Sequence, residues 1–383
     1  MTDRIRTTHV GSLPRSTAVT DLIFAAERGD PVDAAEFDTV VGAAVADAVA
    51  RQVAAGIDLV SDGEMSKISY ATYIKDRITG FDGDSPRTPP ADLEEFPGFL
   101  QRQASAGGTP TYRRPCCVGP VAPRTLQPLD DDLQRFDAAL GAQGRPASFM
   151  NAASPGVIAL FQPDRYYGKQ DAYLEALAEA MRPEYEAIVA AGHILQLDSP
   201  DLGLGRHMMY KDRSDAEYLL CAAAHIEALN HALRNVPADR VRMHVCWGNY
   251  EGPHHRDVEM ATILPVLMTA KPVGLLFETA NPRHQHDFEA FLEHAALIPE
   301  DKILIPGVID STTNFVEHPR AVANRILQFV HIVGSARVIA GTDCGFSTFA
   351  GFGAVDPDIV WAKLRTLAEG AAIASERLTH RAA

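Results

Sequence analysis

The sequence predicts an α/β protein, a TIM-type (β/α)8 barrel with an insertion after the second strand, and three observations carry that reading. Eight short β-branched or apolar runs recur along the chain, each ending in Gly, Ser, Asp or Glu. Segments of helical period separate most of them, the pattern of strands alternating with crossover helices. Neither G-x-G-x-x-G nor G-x-x-x-x-G-K-[ST] occurs, so an open doubly wound sheet lacks its phosphate-binding turn, whereas a closed barrel needs none.

The predicted strands are 5–10, 58–61, 148–152, 194–197, 241–245, 274–277, 303–309 and 338–340. Between the first two, Asp33 and Glu36 form a capping box ahead of Val41, Val45, Val49 and Val53, which step by four along one helix face, and Gly56 is the stop. Ser214 with Glu217 starts a second helix, where Cys221 sits among alanines and leucines as a small buried hydrophobe. A third covers 171–191, with Pro183 as a kink and Gly192 as its close. Residues 81–143, rich in Pro, Gly, Asp and Arg, break the alternation. They predict an irregular insertion over one end of a single barrel domain that spans 1–383. Cys116 and Cys117 lie in a strand-like piece of it, with side chains on opposite faces, and so make a poor chelating pair.

Composition narrows the function. Lys and Arg number 35 against 50 Asp and Glu, a formal charge of −15, which repels phosphate backbones and excludes nucleic-acid binding as a main activity. With 46% hydrophobic residues the chain has material for a large core. No apolar run of signal-peptide length opens it and none approaches about 18 residues, so a cytoplasmic location with no membrane partner is expected. The cysteines (Cys116, Cys117, Cys221, Cys246, Cys344) are odd in number, which argues against a disulfide framework and leaves thiols for packing or metal. Association into a homo-oligomer stays open.

Chemistry in such a barrel emerges where strands end. The fifth strand ends in His244-Val-Cys246, the sixth in Glu278 within LLFETANPRH, and the eighth runs into Asp343-Cys344 within VIAGTDCGF. His244 and Cys246 are two apart on a strand and so share a face, within reach of one ion. Cys344 at an equivalent depth, with Glu278 between, completes one His, two Cys and a carboxylate. That set suits tetrahedral Zn²⁺ better than Mg²⁺ or Ca²⁺.

HVC, FET and TDCG in this order, with THVGSLPR at the start, resemble the catalytic barrel of the cobalamin-independent methionine synthase family, which includes single-barrel members and epoxyalkane:coenzyme M transferases. The likeness runs from Thr7 to about Ser375 and skips the insertion. It implies His244, Cys246, Glu278 and Cys344 as zinc ligands and Ser12 near the incoming thiol. It further implies that Glu64 in SDGEMSK holds the acceptor's amino group, and that Asp198 in LQLDSPDL is an acidic acceptor-binding position. Two positions depart from the family pattern. Ser199 stands where a glutamate follows the fourth strand, and Thr312 stands where a histidine serves the folate donor. The resemblance therefore supports zinc activation of a thiol more than a methyl-folate donor.

A thiol of pKa near 8.5 needs a cation to act as a thiolate at neutral pH. With two cysteines and a carboxylate on the ion, a substrate sulfur has to displace one ligand, and the harder Glu278 oxygen is expected to yield. A leaving group needs an acid, for which His9, Tyr73, His254, His255, Asp310 and His318 are candidates, with His9 foremost because it adjoins Gly11-Ser12. Trp247 and Tyr250 are placed to stack on a flat donor or to wall the pocket, with Asn249 between them as a further substrate-binding candidate. Arg15, Lys67, Arg206 and Arg283 are candidates for an acceptor carboxylate or sulfonate.

The expected function is zinc-dependent transfer of an alkyl group, foremost methyl, to the sulfur of a small thiol. Epoxide opening by a zinc-bound thiolate such as coenzyme M is the alternative. A metal-free lyase of the uroporphyrinogen-decarboxylase type and a non-catalytic zinc scaffold are the remaining readings.

Overall fold

The computed structural model of the chain describes residues 4–86, 88–105 and 113–382. All eight predicted strands are present: β1 (Arg6–Thr7), β2 (Leu59–Val60), β3 (Ala147–Ala153), β4 (Ile194–Asp198), β5 (Val241–His244), β6 (Gly274–Phe277), β7 (Ile303–Pro306) and β8 (Ile339–Ala340). Strands β2 to β7 pair in chain order in one parallel sheet. Parallel bridges Leu304–Val338 and Gly307–Gly341 continue it from β7 to β8, and β8 pairs with β1. The circuit closes where Asp58 N donates to Thr7 O at 3.2 Å. The fold is a (β/α)8 barrel, and its short strands are joined at the seams by a few backbone bonds.

Helices of the outer layer form where the sequence signals them. Asp33 caps Ala34–Ala54 by accepting from Ala35 N and Glu36 N, and Val41, Val45 and Val49 are buried beneath it. Ser214 and Glu217 make a reciprocal capping box on Asp215–Ala232. Gln170–Ala190 runs through Pro183. The alternating strand pattern sends Val10, Leu276, Ile305 and Ile339 into the barrel and Phe277 outward. There its ring packs 4.4 Å from Phe291 and 5.3 Å from Phe329 of the helix layer. Truncating Phe277 to Ala would cost about 3–5 kcal/mol. Among the described residues no helix is long and apolar enough to cross a membrane.

The irregular segment is shorter than 81–143. Its last part forms the regular helix Gln127–Ala142, with Pro128 in its first turn and Leu129, Phe136, Ala139 and Leu140 buried. This is a crossover helix of the barrel. The excursion before it holds the antiparallel pair Phe81–Asp82 and Cys116–Cys117 and two short helices, Ala91–Glu94 and Pro97–Ser105.

Candidate metal centre

The period of two in β5 and the residues after it turns His244 and Cys246 toward the barrel axis, while the β4–β5 register sets Asp198 beside His244. Cys344 arrives from the turn after β8. Asp343 fixes that turn by accepting from Thr279 N, Ala280 N and Asn281 N at 2.8–2.9 Å, which locks it against the end of β6.

The ligand atoms of His244, Cys246 and Cys344 all lie within 4.8 Å of one another, and all three residues are buried. The two sulfurs are 3.7 Å apart. That is far beyond a disulfide bond of about 2.05 Å. It is close to the separation of about 3.8 Å between two sulfurs bound at about 2.3 Å to one tetrahedral zinc ion. His244 Nδ1 lies 3.3 Å from Asp198 Oδ1 and Nε2 lies 3.2 Å from the Asp343 carbonyl.

Glu278 adjoins this set without joining it. Its Oε1 accepts from Trp247 N at 2.9 Å and its Oε2 from Asn281 Nδ2 at 2.8 Å. The electrostatics are those of acids short of a cation. The hydrogen bond shared with Cys344, together with burial, pushes the Cys246 thiol well above its ordinary value. Burial and the neighbouring Cys246 do the same to Glu278, and burial with Asp310 nearby raises Asp343 to about 7. A divalent cation would reverse that preference for protons. Donor chemistry, spacing and burial all fit one.

The centre opens on a cavity of about 1320 Å³ whose lining includes Ser12, Glu64, Asp198, Asn249 and Tyr250 as well as His244, Cys246 and Cys344. The volume exceeds that of a usual small-molecule pocket. Glu64 adopts a left-handed φ of 56°, held by its N–H on Asp62 Oδ1 at 3.0 Å and by Arg15 on its carbonyl oxygen at 2.6 Å. Such a conformation costs about 1–3 kcal/mol and marks a residue whose placement matters. Its Oε2 is buried with no hydrogen-bond partner, and burial, opposed by Lys67, raises its carboxyl to about 8. Asn249 ties the loop after β5 to the loops after β7 and β8, donating to Gly345 O at 2.7 Å and accepting from Ser311 Oγ at 3.1 Å.

Several expected residues lie elsewhere. His9 alternates with Val10, so its ring faces the helix layer and meets Gln52 Oε1 at 2.7 Å, away from the cavity lining. Burial lowers its pKa to about 4, which leaves it a neutral structural group instead of a general acid. Trp247, odd in the β5 alternation, is fully buried behind the site. Its indole N–H is spent on Val258 O at 2.8 Å, so it offers no face to a substrate. Asp310 accepts from Thr312 N, Thr312 Oγ1 and Thr313 Oγ1 and shapes the turn that brings both threonines to the cavity. His318 is an exposed N-cap, accepting from Arg320 N at 3.1 Å. Tyr73 donates to Glu184, His254 faces Asp257 and His255 faces Glu95. None of the six acid candidates lines the cavity. Arg15, Lys67, Arg206 and Arg283 are likewise committed to Ser347 O, Asn151 O, Asp215 and Glu259.

A buried set of which the sequence reading named only His254 lies beside the centre. Asp257 faces His207 Nε2 at 3.2 Å, His254 Nδ1 at 2.9 Å and His284 Nε2 at 2.9 Å. The ring of His284 packs 4.5 Å from that of Trp247. The spacing HHRD and RHQHD offered a signal only in retrospect, because the partners come from separate loops.

No protein-family model matches the chain. Among curated proteins it is similar to a methionine synthase of Saccharolobus solfataricus, 26% identical over 329 residues, covering 85% of this chain and 81% of that one. A methionine synthase of Saccharolobus islandicus is 24% identical over 377 residues, covering 97% and 95%. Among solved structures, a B12-independent methionine synthase from Shewanella sp. W3-18-1, in complex with selenomethionine, superimposes with a TM-score of 0.75 at 19% identity, over 98% of this chain and 99% of that one. A putative vitamin-B12 independent methionine synthase from Listeria monocytogenes gives 0.66 at 18% identity, over 97% and 98%.

Proposed function

We propose that the chain, similar over most of its length to methionine synthases and sharing their fold, is a member of the cobalamin-independent methionine synthase family and transfers a methyl group to the sulfur of a small aminothiol at a zinc centre. The observation that carries the proposal is the 3.7 Å sulfur pair with His244 beside it at the floor of the cavity. His244, Cys246 and Cys344 would hold the ion, with Glu278 as the exchangeable fourth ligand. Bound there, zinc supplies the positive charge that keeps a substrate thiol in its thiolate form at neutral pH.

The chain's own groups do the rest. Asp198 orients the His244 imidazole from behind, in the manner of a carboxylate–histidine–metal triad. Glu278 has the Trp247 N–H and the Asn281 amide as partners without any ion, so yielding its place to a substrate sulfur would leave no unsatisfied buried charge. The unpartnered Glu64 Oε2 calls for a donor, and an ammonium placed between Glu64 and Asp198 supplies it. Ser12, on the cavity wall, flanks the sulfur's path. This pair of acidic groups favours a thiol that carries an ammonium over a sulfonate-bearing one that lacks it.

Thr312, which lines the cavity where the family pattern has a histidine, favours a second reading, in which a donor other than methyl-folate is used, an epoxide among them. Parallel assays of the zinc-loaded protein decide between them: methyl-folate with homocysteine against a short epoxide with coenzyme M. Turnover with homocysteine as acceptor is the expected result. Turnover only with coenzyme M and epoxide would overturn the acceptor assignment. Full activity after exhaustive chelation would overturn the zinc assignment.

A further inference from the structure

The excursion between β2 and β3 forms one wall of the cavity, contributing Leu93, Phe99, Leu100 and Gln103. What holds that wall is uneven. Glu94 pairs with Lys211 at 2.9 Å, and Glu95 with His255 at 2.8 Å, but these ions stand in solvent, where water screens them. Gln103 donates to Glu251 O at 3.0 Å, also at the surface. Asp92 differs. It is 0% exposed although it sits on a short surface excursion. It reaches across to the loop after β5, where Tyr250 O–H donates to its carboxylate, 2.9 Å from each oxygen, and His254 N–H donates to Oδ2 at 3.0 Å. His207 Nδ1 lies 3.6 Å from Oδ1. Against the burial that opposes charge, the nearby His207 and the hydrogen bonds from Tyr250 O–H and His254 N–H hold its carboxyl down at about 2.

We propose that Asp92 is a buried carboxylate plug that seats the excursion on the loop after β5 and so keeps that wall of the cavity in place. The loop it grips begins at Cys246 and carries Asn249 and Tyr250 into the cavity, so one carboxylate ties the wall to the segment that follows a metal-ligand candidate. Through His207 and Asp257 the contact continues to His284 and the ring of Trp247, whose backbone N–H holds Glu278. The inference rests on the proposed function only for the identity of the cavity's occupants. The seat itself rests on burial and distances.

Hydrogen exchange read by mass spectrometry tests it on the full zinc-loaded chain. In Asp92→Ala, peptides from 88–103 should exchange at least about 10-fold faster while peptides from β4 and β6 keep their rates. Glu94→Gln, which removes only a solvated pair, should change neither. Tyr250→Phe should accelerate the same 88–103 peptides, and the double variant with Asp92→Ala should be no faster than Asp92→Ala alone, because both remove one shared contact. Loss of two independent contacts would add instead. Unchanged exchange in 88–103 for Asp92→Ala, or fully additive effects in the double variant, overturns the proposal. Should Asp92→Ala fail to fold, Asp92→Asn keeps the shape and one acceptor oxygen, and the same comparison applies to it. With Co²⁺ in place of zinc, the sulfur-to-metal band produced by homocysteine reports on the functional reading separately. Its absence in the unaltered protein would sink that reading and leave the seat standing.

Discussion

Asn151 Nδ2 donates to Asp198 Oδ2 at 3.0 Å, which leaves Asp198 Oδ1 turned toward His244 Nδ1. Two neighbouring strands thereby fix the imidazole before any ion arrives. Gly11, at φ 143°, makes this possible, since a Cβ there would fall 2.3 Å from Asn151 Oδ1.

Replacing Asp198 by Asn should therefore weaken zinc binding by about 10–100-fold while leaving the fold intact, because a neutral amide orients the ring less firmly and no longer raises its basicity. Competition with a chromogenic chelator measures this. An unchanged affinity would remove Asp198 from the account of the metal centre.

Glu64→Gln should raise the KM for homocysteine by about 10–100-fold, the worth of one charge-assisted hydrogen bond, with zinc content unchanged. An analogue without the amino group should bind the variant and the unaltered protein alike. Equal loss for both thiols would show that Glu64 supports the loop and not the ammonium.

His9 gives a prediction about stability and pH. Its folded pKa of about 4 lies below the unfolded value of about 6.5, so the unfolded chain takes up the proton first. The imidazole therefore costs nothing above about pH 7, and stability is lost as pH falls from about 6.5 toward 4. Between pH 7 and pH 5 the loss is about 2 kcal/mol. Denaturant unfolding of the unaltered protein and of His9→Asn at both values measures it. The variant should show a smaller drop by about that amount, and equal drops would mean that His9 charges freely in the folded state.

Cys246→Ser and Cys344→Ser should each abolish stoichiometric zinc and turnover while the far-ultraviolet circular dichroism is kept, since the barrel's closure lies in β1, β2 and β8 and not in the ion. Retained turnover without zinc would favour the scaffold reading.

The strands were legible because each buried run is short, apolar and followed by a turn residue, and the H-x-C pair was legible because a period of two admits one geometry. The same period explains what was misread. His9 and Trp247 are one residue out of phase with Val10 and Cys246, so they face the helices, and chemical type alone had suggested the cavity. Helix Gln127–Ala142 was hidden by its acidic, proline-bearing first turn, a legitimate helix start that resembled the loop before it. Asp92 could not be read at all. Its meaning depends on Tyr250 and His254, more than 150 residues away, and no local pattern in GDSPRTPPADLEEFPG announces a buried carboxylate.

X-ray absorption at the zinc edge of the purified protein, before and after addition of homocysteine, addresses the central claim most directly. The account predicts two sulfur ligands per zinc at rest and three with the thiol bound, one oxygen being lost. A count that stays at two with saturating thiol, or a resting ion with no sulfur ligands, would contradict it.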